Sequence, residues 1–297
     1  MMESGILIMD KPQGFTSFDV IGKLRGILKM KKLGHTGTLD PMATGVLPVL
    51  VGTAARACDI LPDEGKAYRA GFRLGTVTDT QDSTGTVLQV HPVTAGSAEI
   101  LRVLPEFTGW IDQIPPMYSA VQINGKRLYE LARAGKEIER PARRVLVEQI
   151  TLEEFDGAAG SGVLSVRCGK GTYVRTLIHD IGQRLSCGAH MTALTRTEAC
   201  GFSLSEAHSF DEVQQAADSG CLSGLILPTD RLFADLPALR LNAAQSRMYA
   251  NGVKLTLSRL HLPEGAARLR VYADSGRFFG LAEPDRENGV LRIYKNL

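Results

Sequence analysis

Apolar residues recur at helical spacing in two stretches, Val20, Ile21, Leu24, Ile27 and Leu28, then Val174, Leu177, Ile178, Ile181 and Leu185. Each spacing predicts an amphipathic helix, the first with Ser17 as its N-cap. Elsewhere the period shortens to two. Val145–Leu152 alternates as a strand, and Val163–Cys168 follows after the glycine-rich 157–162, which reads as a hairpin. Arg268–Ala273, Arg277–Ala282 and Val290–Tyr294 read as three short strands, the first pair joined by Asp274-Ser275-Gly276. Such spacing predicts a small antiparallel sheet or barrel at the C-terminal end. Helices and strands do not alternate regularly, so the fold class expected is α+β rather than a doubly wound α/β sheet.

Composition changes this picture little, but charge divides it. The 297 residues are 44% hydrophobic and 22% charged, which excludes fibrous and wholly disordered chains. The net charge of +2 announces no polyanionic partner. Residues 231–297, however, hold 11 basic and 6 acidic side chains, and residues 1–230 hold 23 and 26. The shift follows Leu227-Pro228-Thr229-Asp230 and predicts a domain boundary near residue 230. The basic C-terminal part reads either as a solvated surface or as an RNA-binding face. Five widely spaced cysteines without a C-x-x-C suit neither a disulfide framework nor a structural zinc site. Met1-Met2-Glu3-Ser4 lacks a basic leader, and the uncharged run Pro41–Ala55 is shorter than the roughly 18 residues of a membrane span. A cytoplasmic protein with no membrane partner is expected.

Familiar site motifs are missing. There is no G-x-G-x-x-G, no G-x-x-x-x-G-K-[ST], no H-E-x-x-H, no G-x-S-x-G and no zinc-deaminase signature. Nucleotide-driven, metal-assisted and serine-hydrolase chemistry all lose ground. The densest segment is Gly34–Pro48, GHTGTLDPMATGVLP, where three glycines and two prolines predict a shaped loop. It displays one carboxylate, Asp40, and one imidazole, His35. Upstream, Lys23, Arg25, Lys29, Lys31 and Lys32 follow with no acid between Asp19 and Asp40. That pattern fits a polyanion site delivering substrate to the acid, and it equally fits a solvated helix face followed by a turn.

Gly34–Val46 closely resembles the catalytic loop of the TruB family of tRNA pseudouridine-55 synthases, G-H-x-G-x-L-D-P-x-A-x-G-x-L. Further stretches match that family in order. They include Gly5–Pro12 with Gly14 and Thr16-Ser17, Lys66-Ala67-Tyr68, Leu74-Gly75, Thr78–Asp82 and Gly85. Gln113–Ala120, Gly125–Tyr129, Ala132-Arg133 and Gly171–Arg175 complete the series. Resemblance covers about residues 5–230, with weaker similarity beyond. Two positions depart from the pattern: Gln122 stands where lysine is usual, and Thr195 interrupts a Leu-Arg-Arg run.

The resemblance implies a pseudouridine synthase fold, with a mixed, largely antiparallel sheet and flanking helices. Residues 1–230 would form the catalytic domain, with an RNA-gripping insertion at about 115–145 rich in Lys126, Arg127, Arg133, Lys136, Arg140, Arg143 and Arg144. Residues 231–297 would form a small β-rich, PUA-like RNA-binding domain. The implied activity is isomerisation of uridine 55 in the T loop of tRNA, without cofactor, metal or guide RNA, by an enzyme expected to be a monomer. Asp40 would be the nucleophile, at either the sugar C1′ or the base C6. Arg175 would pair with it, because an opposite charge keeps a carboxylate ionised and aimed. Tyr68 would stack on the flipped base and handle the C5 proton. Tyr173 and Leu194 would line the uracil pocket, and His35 would fill the space vacated in the RNA. Asp82 would either brace the site wall or cap its own turn. A non-enzymatic RNA-binding module and an RNA-guided relative acting in a multiprotein particle are the alternative readings.

Overall fold

The chain opens with β1 (Gly5–Lys11), whose Ile6–Met9 are buried on both faces. Its structure is a computed structural model describing residues 4–62, 65–123 and 125–297, so Met1–Glu3 lie outside the described residues. The helix α1 (Ser17–Leu28) follows and buries Val20, Ile21, Leu24 and Leu28, as the spacing predicts. Its cap is Thr16 rather than Ser17. Thr16 and Asp19 bond each other's backbone N–H reciprocally, a box that needs an acidic or amide side chain three residues on. Ser17, followed three residues later by Val20, cannot complete one. Its hydroxyl turns inward instead and accepts the Leu39 N–H at 2.8 Å.

The expected loop at Gly34–Pro48 is shorter than its composition suggests. β2 (Leu33–His35) and β3 (Thr44–Val51) take up both ends through pairing with each other, and β3 also pairs with β1. Only 36–43 stays irregular. β4 (Lys66–Leu74) precedes a ribbon of β5 (Thr76–Thr78) and β6 (Val87–Val90), then α2 (Ser97–Val103) and β7 (Gly109–Gln113). In the expected insertion, β8 (Gln122–Ile123), β9 (Lys126–Arg127) and α3 (Leu128–Arg133) form a small, largely exposed unit. β10 (Arg143–Asp156) and β11 (Ser161–Cys168) are the predicted hairpin. α4 (Val174–Arg184) matches the second helical stretch, and β12 (Ala189–Ala199) follows it.

Strand order among the described residues is β1-β3-β12-β4-β11-β10-β7. Every neighbouring pair is antiparallel except β3 with β12, which run parallel at Thr195–Arg196. The sheet is therefore mixed and largely antiparallel, an α+β arrangement as expected. The parallel contact is tight: a Cβ on Gly45, at φ +98°, would lie 2.3 Å from the Arg196 carbonyl oxygen. α4 packs Val174, Leu177, Ile178 and Ile181 against the sheet residues Leu164, Val166, Met191 and Leu194.

After β13 (Phe202–Ser203) and α5 (Phe210–Asp218) comes a second sheet. It comprises β14 (Ala238–Arg240), β15 (Leu255–Thr256), β16 (Leu269–Tyr272), β17 (Phe278–Asp285) and β18 (Val290–Asn296), with α6 (Ala243–Ala250) beside it. The last three strands are those predicted. β14 and β15 span three and two residues, too short to show a period. Leu281, Phe278 and Leu297 from this sheet pack into one cluster with Ile6, Ile8, Leu232 and Phe233. Lys295 also pairs with Asp59 at 2.7 Å. The two sheets thus share an apolar layer. No helix among the described residues is long and apolar enough to cross a membrane.

Candidate active site

Backbone and hydroxyl hydrogen bonds fix the irregular segment 36–43. Thr36 N–H donates to the Pro48 carbonyl (3.1 Å), Gly14 N–H to that of Pro41 (2.7 Å) and Ala43 N–H to that of Asp40 (3.0 Å); Ser17 holds Leu39. Leu39, Met42 and Ala43 are buried beneath it. Asp40 is thereby held over the core at the wall of a cavity of about 500 Å³. Asp40, Tyr68, Ser119, Tyr173, Arg175 and Leu194 are among its lining residues.

Arg175, the second residue of α4, is 4% exposed. Its Nε meets Asp40 Oδ2 at 2.9 Å, and its two terminal nitrogens donate to the Thr80 and Tyr118 carbonyls at 3.0 Å each. Nη1 also lies 3.6 Å from Asp82 Oδ2. The guanidinium is consequently held on three sides, leaving Asp40 one orientation for the pair. Asp82 uses its two oxygens differently: Oδ2 faces Arg175, while Oδ1 accepts from Thr84 N–H (2.9 Å) and the Thr80 hydroxyl (2.8 Å), capping its own turn. Burial pushes the Asp40 carboxyl above its usual range, and Arg175 beside it opposes that push. Asp82 adds to the upward shift and Lys11 to the downward one.

Tyr68 is 8% exposed on β4, directly across from Arg196 on β12. Leu194 precedes Arg196 by two residues, so the sheet's alternation turns both to one face. Tyr173 is pinned through its backbone: its N–H donates to Gln113 Oε1 (2.8 Å), and Gln113 Nε2 donates to its carbonyl (3.1 Å). The structure brings five predicted residues, Asp40, Tyr68, Tyr173, Arg175 and Leu194, around one cavity. His35 ends β2 outside the lining, while its neighbour Thr36 is part of it. Burial lowers the His35 pKa, and the Arg196 charge lowers it further.

Two buried cations fall within the family matches, yet the sequence reading gives neither a role. Lys11 is fully buried and donates to the Phe15 (2.6 Å), Pro12 (3.0 Å) and Pro41 (3.4 Å) carbonyls. Burial lowers its pKa to about 8, against the pull of Asp40. Arg196 is fully buried, with Nε donating to Val46 O (2.7 Å) and Nη2 to Gly37 O (3.2 Å). The available signal is register: Arg196 shares parity with the apolar Leu194. As for the departures, Thr195 pairs its hydroxyl with that of Thr44 at 3.0 Å, and Gln122 lies exposed on β8.

Comparison with known proteins bears on all of this. Residues 25–174 match the TruB family pseudouridylate synthase N-terminal domain, and 175–234 match the tRNA pseudouridylate synthase B C-terminal domain. The tRNA pseudouridine synthase B of Azoarcus sp. (strain BH72) is 44% identical, with 97% of this chain and 93% of that protein covered. That of Bacillus subtilis (strain 168) is 40% identical, with 100% and 98% covered. Among solved structures, a chain of a Cbf5-Nop10-Gar1 complex is similar at TM-score 0.72 and 26% identity, covering 94% of this chain and 78% of its own. A chain of an H/ACA RNP bound to a substrate RNA containing 2′-deoxyuridine shares the fold at TM-score 0.73 and 23% identity, covering 98% and 84%.

Proposed function

Because this chain belongs to the TruB family of pseudouridine synthases, we propose that it isomerises uridine 55 in the T loop of tRNA to pseudouridine, with Asp40 as nucleophile. The C1′–N1 bond breaks and a C1′–C5 bond forms. C5 releases its proton and N1 gains one, so the formula of the RNA is unchanged and no oxidant or reductant is consumed. The observation that carries the reading is the Asp40–Arg175 pair at 2.9 Å on the wall of a cavity it shares with Tyr68. Attack at C1′ or at C6 would use the same carboxylate, and Arg175 would orient it in either case.

A uridine in a folded loop must be flipped out, at a cost of a few kcal/mol that stacking offsets. The Tyr68 ring supplies the stacking face, Tyr173 and Leu194 the walls of the uracil slot, and His35 the group that fills the vacated position. In this reading the enzyme works in the cytoplasm as a monomer, without guide RNA or cofactor. The insertion at about 115–145 grips the RNA, and residues 231–297 form its RNA-binding domain, with 1–230 catalytic. Tritium at C5 of the uridines in an unmodified tRNA transcript tests the reaction. The protein alone should release one tritium per tRNA to water. No release, or release only with added protein or guide RNA, contradicts the proposal.

Two consequences can be measured. Tyr68→Phe keeps the ring, so tRNA affinity should hold, while loss of the hydroxyl should slow turnover by roughly 10²-fold. Tyr68→Leu should lose binding as well. A fully active Phe variant would leave stacking as the residue's sole part. In the C-terminal sheet, Arg240 and Arg277 lie over the Tyr272 and Phe279 rings at 5.3 and 5.7 Å. Replacing both with glutamine should weaken tRNA binding and flatten its salt dependence by roughly 0.7–0.9 in log–log slope for each phosphate no longer neutralised. An unchanged slope in a salt titration would make that face a solvated surface only.

A further inference from the structure

We propose that Arg196 is the positioning residue that poises the Tyr68 hydroxyl to take the proton from C5, an inference that rests on the isomerase reading above. The two residues are direct cross-strand partners, Tyr68 on β4 and Arg196 on β12. Side chains so opposed stand within contact distance on one face of a sheet. Arg196 lies wholly inside the protein, beside the strand that leaves the catalytic loop, and its two hydrogen bonds go to carbonyls at either end of that loop, Gly37 and Val46. A buried guanidinium normally satisfies every nitrogen, since an unmatched buried donor is costly. Here Nη1 is buried with no hydrogen-bond partner among the described residues.

Nη1 packs behind Gly37, a residue of the cavity wall. A Cβ built on Gly37 would lie 3.6 Å from that nitrogen, and both Gly37 and Tyr68 line the cavity. Burial pushes the Tyr68 hydroxyl pKa up, and the Arg196 charge is the largest influence opposing it. A guanidinium opposite the phenol on the same face of the sheet stabilises the negative charge that develops on the oxygen as Tyr68 gives up its own proton and receives another.

The step is balanced as follows. Once the C1′–C5 bond has formed, C5 carries both the sugar and its original hydrogen. Tyr68 removes that hydrogen as a proton, and the C–H electron pair becomes the C5–C6 double bond. The displaced N1–C6 π pair moves to N1, which takes up a proton from water, while the proton that Tyr68 carried beforehand passes to water. Arg196 makes no bond to the substrate in this scheme. It fixes and polarises the group that does the work.

A substrate pair separates this role from a structural one. In tRNA carrying 5-fluorouridine, C5 bears fluorine, so no proton has to leave after the C1′–C5 bond forms. Arg196→Met should slow conversion of uridine by roughly 10²-fold or more, the range for lost acid–base assistance. Its conversion of 5-fluorouridine to the C-glycoside, followed by chromatography of digested RNA, should stay within several-fold of the wild type. Uridine deuterated at C5 should show a larger isotope effect with the variant than with the wild type. Arg196→Lys keeps a cation that can reach one carbonyl but lacks the fork, and it should give the same pattern if the methionine variant does not fold. Equal losses on both substrates, or no loss on either, would overturn the proposal. A wild-type protein that converts neither substrate would instead defeat the isomerase reading itself.

Discussion

Asp40→Asn should abolish pseudouridine formation, by at least ~10⁴-fold in single turnover, while tRNA affinity stays within several-fold. Asparagine keeps the shape of the side chain and can still meet the Arg175 guanidinium, so the loop anchored by Ser17, Pro41 and Pro48 should not move. What it lacks is an anionic oxygen able to form a covalent bond. The same dependence fixes the pH profile. On the proposed mechanism only ionised Asp40 attacks, so the wild-type rate should fall tenfold per pH unit below its pKa. Burial raises that pKa, which places the acidic limb above the ordinary carboxylate range. Product from purified Asn variant at near wild-type rate would remove Asp40 from its role.

Arg175→Met should be nearly as damaging, and to stability as well as to rate. The change leaves the Asp40 and Asp82 carboxylates without the cation between them, and it strands the Thr80 and Tyr118 carbonyls. Breaking a buried pair from one side costs about 3–5 kcal/mol. The lower end applies here, since the Asp40 side chain is 36% exposed. With the opposing cation gone, Asp40's folded pKa rises further above its unfolded value. Protonation then favours the folded state, so the variant should regain part of its stability as pH falls through that pKa. Turnover should drop by about 10³-fold or more, because the nucleophile is neither aimed nor held ionised. Arg175→Lys, retaining the charge without the planar fork, should fall between. Urea unfolding at two pH values and single-turnover assays read both effects; a methionine variant of normal stability and rate would contradict the account.

Much of the fold is legible in the sequence because it depends on local period. α1, α4, the β10–β11 hairpin and three C-terminal strands all announce themselves as spacings of three to four or of two. What is not legible depends on partners distant in the chain. The two ends of the loop that carries Asp40 are strands because β2 pairs with β3 and β3 with β1, which glycine and proline content cannot reveal. The cap of α1 sits at Thr16 because Asp19 answers it. Leu281 reads as one more strand residue, yet it closes a core with Ile6 and Ile8.

The site divides in the same way. Asp40, Tyr68, Tyr173, Arg175 and Leu194 are singled out through family resemblance, since a strand tyrosine or leucine carries no mark of function by itself. Composition and periodicity offer only a shaped loop with one acid. Lys11 and Arg196 do not stand out in the sequence, because charged residues are expected at the surface. Their meaning emerges only once both are seen inside the protein, bonded to carbonyls around the loop that carries Asp40.

The measurement that bears most directly on the central claim is the position of the product. An unmodified tRNA transcript would be incubated with the purified protein alone, then digested and mapped by mass after derivatising pseudouridine. The account predicts pseudouridine at position 55 of the T loop, approaching one per molecule, and none with Asp40→Asn. Modification at a different uridine, or an unmodified transcript after exhaustive incubation with the wild type, would contradict it.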